Sequence, residues 1–199
     1  MRIILSGPPG VGKGTQSRLL ADTLKIPHIA TGDLFRWHIA NGSTLGKAVK
    51  SYIDAGELVP GVVTERIVAE RLLRDDAAAG FILDGFPRNY DQARVLDAIL
   101  ARRGDKVDHV IEFVLYNAEL ESRLLARGRS DDTDDVIRRR LTVYEKERGA
   151  ILGHYGPIVT ELDASGSVGE IGERLLSTLG ARVLQAMGVH GARSGQAVV

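Results

Sequence analysis

Fifteen residues at the start of the chain restrict the fold more than any others. Arg2-Ile3-Ile4-Leu5-Ser6 reads as a short buried strand and runs straight into Gly7-Pro8-Pro9-Gly10-Val11-Gly12-Lys13-Gly14-Thr15. These glycines and prolines cannot continue a strand, and Gln16-Ser17-Arg18-Leu19-Leu20-Ala21 then resumes at helical spacing. A strand, a glycine-rich turn and a helix N-terminus together make a phosphate cradle. N–H groups that the first helical turn leaves unpaired point into the loop, and the helix dipole favours an anion there. The glycines let the backbone approach phosphate oxygens, Lys13 supplies a mobile positive charge, and Thr15 offers a hydroxyl near a metal position. The general motif has Ser or Thr directly after the lysine, whereas here Gly14 intervenes. A turn that merely joins strand to helix would explain the glycines but not Lys13, so nucleotide binding is the expectation.

Composition then narrows the partners. There are 26 basic and 26 acidic residues, for a net charge of +0, which argues against a nucleic-acid footprint or a polybasic membrane surface. No apolar run approaches the roughly 20 residues that a bilayer span needs. Too little precedes the glycine loop to suggest a signal peptide. Cysteine is absent, which excludes disulfides and thiolate metal sites. His28, His38, His109, His154 and His190 are scattered without ligand spacing and read as surface or packing residues. A cytoplasmic soluble protein is expected, and 199 residues fit one domain with small insertions.

Further along, residues 26–30 form a short strand candidate, and Thr31-Gly32-Asp33 starts a helix that Asn41-Gly42-Ser43 breaks. Leu45, Val49 and Ile53 at four-residue spacing predict a second small helix closed by Gly56, and 62–73 is helical again. A plain crossover needs one helix, so this extra pair looks like a helical insertion on the strand ends. Gly80-Phe81-Ile82-Leu83-Asp84 is a third strand ending on a carboxylate; residues 107–116 form a fourth and 157–163 a fifth. Helices are expected over 89–102, after Asn117, from Thr133 to about Arg148, and over 168–187. Strands alternating with helices predict an α/β fold with a doubly wound, five-stranded parallel sheet.

Two more constellations carry chemistry. Asp84, at the end of an apolar strand, stands where phosphate-binding folds keep a metal-side carboxylate, and with the glycine loop present that role is expected over mere capping of the next turn. Arg88 follows Gly85-Phe86-Pro87, a turn suited to holding a rigid two-pronged phosphate ligand. On the helix from Thr133, Val136, Ile137, Leu141, Val143 and Tyr144 share one apolar arc, with Arg140 in its middle. A charge among inward-facing apolar residues must meet an anion, either a ligand or an internal carboxylate. Arg127 and Arg129 flank Gly128 in a polar loop and by themselves read as solvated charges.

On these residues the chain resembles the adenylate kinases, a branch of the nucleoside monophosphate kinases, in their bacterial short-lid form. The resemblance covers residue 1 to about 180. It rests on Gly7 to Thr15, Thr31-Gly32-Asp33-Leu34-Phe35-Arg36, Asp84-Gly85-Phe86-Pro87-Arg88 with Gln92, and Gly128-Arg129-Ser130-Asp131-Asp132. Lys-Gly-Thr is the family's own version of the loop ending. The resemblance implies a P-loop NTPase fold as a single domain over 1–187: core 1–29, 60–125 and 133–187, a monophosphate-binding insertion 30–59 and a lid 126–132. Residues 188–199 are expected to be a disordered tail, since they lack apolar periodicity. Gly61 departs from the usual acidic residue after Pro60, and the stretch beyond about Ala181 passes the usual end.

The resemblance further implies reversible phosphoryl transfer from ATP to AMP, giving two ADP and serving adenine nucleotide homeostasis. ATP would lie on Gly10, Val11, Gly12, Lys13, Gly14 and Thr15, with Arg127 over the adenine side and Gly166 near the base. AMP would be held by Thr31, Arg36, Glu57, Leu58, Val59, Gly85, Phe86, Pro87, Arg88 and Gln92. Arg129 and Arg140 would reach the phosphates being exchanged, and Lys13, Asp84, Arg88, Arg129 and Arg140 would form the catalytic set. Mg²⁺ would arrive with ATP near Thr15 and Asp84, with no direct protein ligand and no zinc. A monomer with nucleotide partners, and neither nucleic acid nor membrane, is expected. An acceptor phosphate with a second pKa near ~6 is already a dianion at neutral pH, so no general base is required.

A UMP/CMP kinase is the nearest alternative; Thr31 disfavours it, because the pyrimidine enzymes usually carry Ala there, and Gln92 suits the adenine edge. A GTPase switch would need an Asn-Lys-x-Asp run, which is absent. A P-loop ATPase working on nucleic acid fits poorly with the balanced charge. The tail reading makes its own prediction: a chain ending at Met187 should melt and turn over as the full chain does. A clear drop in either would show that the tail docks.

Overall fold

Short runs of Ile, Leu, Val and Phe pair side by side into one parallel sheet in the computed structural model, which describes residues 1–115, 119–120, 122–124 and 133–186. The strands are β1 (Arg2–Ser6), β2 (His28–Ala30), β3 (Phe81–Asp84), β4 (His109–Val114) and β5 (Val159–Asp163), in the order β2-β3-β1-β4-β5. The helices between them are α1 (Lys13–Leu24), α2 (Thr31–Ala40), α3 (Thr44–Ala55), α4 (Gly61–Leu72), α5 (Tyr90–Ala101), α6 (Asp134–Tyr155) and α7 (Val168–Ala186). Residues 119–120 and 122–124 are also helical. No helix among the described residues is long and apolar enough to cross a membrane.

Alternate strand residues feed two separate cores, which is why the strands read as unbroken apolar runs. Ile3, Leu5, Ile82, Ile111 and Phe113 face one side, against Leu20 of α1 and Ile171, Leu175 and Leu179 of α7. Ile4, Leu83 and Val110 face the other, against Val68 and Leu72 of α4, Leu96 and Leu100 of α5, and Ile151 and Tyr155 of α6. A third cluster joins Phe35, Val49 and Val59, with Leu45, Ile53 and Ile67 against it. The extra helices therefore have a small core of their own.

Local signals fix several boundaries. The Ser43, Asn89 and Thr133 side chains accept from the backbone N–H groups of Gly46, Gln92 and Val136, capping α3, α5 and α6. Helix α4 starts at Gly61 itself, behind Pro60, without an acidic residue there. One boundary differs from expectation. Helix α6 does not stop near Arg148 but continues to Tyr155, through Gly149 and Gly153. Each glycine costs about 1 kcal/mol against alanine, whereas burying Ile151 and Tyr155 recovers about 1.5–3 kcal/mol per apolar side chain. Packing outweighs propensity here. The helix expected after Asn117 is described only at the residues given above. The lid expectation over 126–132 and the tail lie outside the described residues.

Leu96 is 0% exposed in the core beneath α5. Leu96→Ala should lower the unfolding free energy by about 2–5 kcal/mol, read from urea denaturation, because the site can collapse only partly around the missing atoms. A loss below about 1 kcal/mol would show that this core is loosely packed.

Candidate active site

The loop between β1 and α1 takes its shape from glycines. Gly12 holds φ 104°, the residue before the first helical position, and a Cβ at Gly10 would stand 2.5 Å from Leu124 Cγ. Lys13 folds back over this loop, its Nζ donating to Gly7 O at 2.6 Å and Pro8 O at 2.9 Å. Thr15 is exposed on the first turn of α1. Beside it, Leu5 pairs with Asp84 across β1 and β3, so the phosphate-type loop and the strand-end carboxylate leave the sheet side by side.

Asp84 is half-buried, and burial by itself would raise its pKa. The His28 imidazole, Lys13 and Arg88 outweigh that and hold the carboxyl below its ordinary value. His28 Nε2 lies 3.7 Å from Asp84 Oδ2, too far for a hydrogen bond but close enough to be felt. A scattered histidine read as a packing residue therefore belongs to the site.

A cavity of about 750 Å³ opens over these groups. Its wall includes Gly10, Gly12, Lys13, Gly14, Thr15, Arg36, Glu57, Leu58, Asp84, Gly85, Pro87, Arg88, Arg140 and Gly166, all expected from the sequence. Val11, Thr31, Val59, Phe86 and Gln92 are buried behind it. Thr31 Oγ1 donates to Gly85 O at 2.9 Å, and Gln92 Oε1 accepts from Arg88 N at 2.8 Å. These two side chains brace the turn that carries Arg88. Arg127 and Arg129 lie outside the described residues.

Three arginines from distant segments converge on the cavity. Arg36 pairs with Asp33 at 2.5 Å, Arg88 Nε donates to Gly85 O at 2.9 Å, and Arg140 Nη2 donates to Ile53 O at 3.4 Å. Arg140 is half-buried on the cavity side of α6. Arg88 is exposed to the cavity, yet the walls crowding its guanidinium pull it below its ordinary value; Asp84 opposes this, while the like charges of Arg140 and Arg36 add to it. A bound anion would relieve all three charges at once.

Sequence reasoning also missed Arg123. It lines the cavity, donates to Val11 O at 3.2 Å and Gly166 O at 3.3 Å, and pairs with Glu119 at 2.7 Å. Its four-residue spacing from Glu119 looks like an ordinary surface pair, so little in the sequence singles it out. Gln16 Nε2 donates to Val168 O at 2.9 Å, tying α1 to the start of α7 beside Gly166.

The arrangement can neutralise polyphosphate from the loop side and hold a second phosphate from the Arg36 and Arg88 side. Comparison with known proteins agrees with it. The adenylate kinase family profile matches residues 5–158. The adenylate kinase of Mycolicibacterium vanbaalenii is 52% identical over 180 residues, covering 90% of this chain and 99% of that protein. The adenylate kinases of Corynebacterium diphtheriae and Nocardia farcinica are each 50% identical, with the same coverage. With its glycine loop, its strand-end Asp84 and its sheet all in place, the chain belongs to the adenylate kinase family.

Proposed function

We propose that this protein is an ATP:AMP phosphotransferase, passing the terminal phosphoryl group of MgATP reversibly to AMP and releasing two ADP. The observation that supports this most is the convergence of Lys13, Arg36, Arg88 and Arg140 on one cavity, beside a carboxylate held in its charged form. Phosphoryl transfer asks a protein mainly for position and charge neutralisation, and this set supplies both. The N–H groups from Gly10 to Thr15 and the Lys13 ammonium hold the ATP phosphates. MgATP is the substrate, with its ion on the Thr15 and Asp84 side; Asp84 fits that place because its carboxyl stays ionised.

Arg36 and Arg88 hold the AMP phosphate, and Arg140 spans the group in transit; the guanidinium fork matches two phosphate oxygens where an ammonium cannot. For the acceptor base, Thr31, Gln92 and the Glu57-Leu58-Val59 segment form the recognising edge. Thr31 and Gln92 are each held in place by one hydrogen bond, and the Thr31 hydroxyl can still accept and the Gln92 amide still donate, which are the bonds a matching base would fill. Arg123 joins the ATP side with Gly166 and Arg127. Residues 30–59 act as the monophosphate-binding insertion and 126–132, with Arg129, as the lid. Closure of such lids, for which adenylate kinase is a standing example, keeps water from the phosphoryl group. The protein works as a cytoplasmic monomer.

The test is turnover with MgATP and a panel of acceptors. AMP should exceed UMP, CMP and GMP in kcat/KM by roughly 10- to 100-fold. A wrong base leaves buried hydrogen-bonding groups unpaired, at roughly 1–3 kcal/mol each. Comparable kcat/KM for UMP and AMP would overturn the acceptor assignment, and no transfer to any monophosphate would overturn the whole reading.

A further inference from the structure

A carboxylate is buried in the middle of the sheet, and the proposed reaction does not use it. Glu112 is 0% exposed, on a strand that otherwise runs His109-Val110-Ile111 and Phe113-Val114. Its register partners are Ser6, the last residue of β1 before the glycine loop, and Glu161 of β5. Glu112 Oε1 accepts hydrogen bonds from the Tyr144 hydroxyl and from Arg148 Nε, the latter at 2.7 Å. Arg148 then continues to Glu161, its Nη2 donating to Oε1 at 3.0 Å. Both groups that compensate the buried carboxylate thus come from one helix, α6.

Arg140, Tyr144 and Arg148 are spaced by four residues and lie along one stripe of α6. Arg140 and Tyr144 line the same cavity. We propose that Glu112, Tyr144 and Arg148 form a positioning cluster: it sets the rotation of α6 about its own axis and thereby where Arg140 stands over the phosphates. The proposal rests on the reading of Arg140 given above.

Val136 and Ile137 before this stretch, and Ile151 and Tyr155 after it, are buried and hold the helix at its two ends, whereas Leu141 and Val143 beside Arg140 are only half-buried, so the polar contacts direct its middle turns. Two hydrogen bonds to one buried oxygen do impose a direction, since they weaken steeply with angle. Burial first, and then the bond to Glu112, raise the Tyr144 pKa above its ordinary value, so the phenol remains a donor through the working pH range. Arg148 is likewise held in its charged form, chiefly by its bond to Glu112. A displacement of ~1 Å from a reacting group can cost on the order of 100-fold in rate, so a loosened helix should be visible in kcat.

Tyr144→Phe removes one hydroxyl and is the mild probe. It should lower kcat by about tenfold while leaving KM for ATP and AMP within about twofold, because the contact being misplaced belongs to the transition state. Arg140→Lys by itself should lower kcat by a larger factor. In the Arg140→Lys background, Tyr144→Phe should then cost less than about twofold, since there is little left to misplace. Arg148→Met, at the outer end of the cluster, should repeat this pattern and serves if Tyr144→Phe folds poorly. A cluster that only stabilised the fold would lower the melting temperature and reduce activity by the same factor in both backgrounds; that additivity would overturn the proposal. Near-normal kcat for Tyr144→Phe and Arg148→Met in the native background would also overturn it. Normal kcat for Arg140→Lys alone would remove the reading beneath it, and that failure shows in the single variant.

Discussion

Everything at the site depends on two parallel strands being neighbours. Leu5 pairs with Asp84, so the chain leaves β1 and β3 at the same edge and in the same direction. Parallel neighbours cannot be joined by a tight turn, and the long crossover between them has room for β2, α4 and the pair α2–α3 with its own small core. The consequence is chemical. A cation on the first loop and a carboxylate at the second strand end share one space, and a Cβ at position 14 would stand 3.5 Å from Asp84 Oδ2. That is ordinary van der Waals contact, so position 14 sits directly beside the carboxylate and the loop and the strand end meet without a gap.

Charge then decides what this space accepts. Asp84 stays ionised because its cationic neighbours outweigh its burial, whereas Arg88 is disfavoured by the crowding walls and by Arg140 and Arg36 together. Taken with Lys13, the cavity holds an excess of positive charge from four separate parts of the chain. A cleft lined by one sign of charge focuses the field, so such an excess favours polyanions. Two phosphate-bearing substrates satisfy it better than one, because the loop cations and the Arg36–Arg88 pair approach from different sides.

The sheet, the order of its elements and the glycine-loop and strand-end parts of the cavity wall are legible from local signals, whereas Arg36, Glu57, Leu58 and Gly166 are expected only through the family resemblance. Apolar runs mark buried strands, Ser43, Asn89 and Thr133 cap helices, and the glycine loop is a phosphate cradle by itself. What escaped depends on long-range packing. Helix α6 runs on past its expected end near Arg148, through Gly149 and Gly153, because Ile151 and Tyr155 are buried, and that burial cannot be read from their neighbours. His28 carries no signal as a lone histidine and matters only because β2 sets it near Asp84. Arg123 resembles a surface ion pair until the fold brings Val11 and Gly166 to it.

Glu112 carries a signal that is legible in the sequence, although its partners are not. A glutamate inside His109–Val114, an otherwise apolar strand, must find a partner, because burying a lone carboxylate is too costly. Its partners could not be named in advance, since Arg148 and Tyr144 lie more than thirty residues further along the chain. Well-packed apolar residues often replace a buried ion pair with no loss of stability, so stability is a weak reason to keep one. Direction is a better reason. An interior strand and a helix joined only by apolar contacts can slide, but an oxygen bonded by both a phenol and a guanidinium fixes one rotation. In a cavity where transfer depends on a guanidinium meeting two oxygens, that constraint acts on the chemistry from behind the reacting groups.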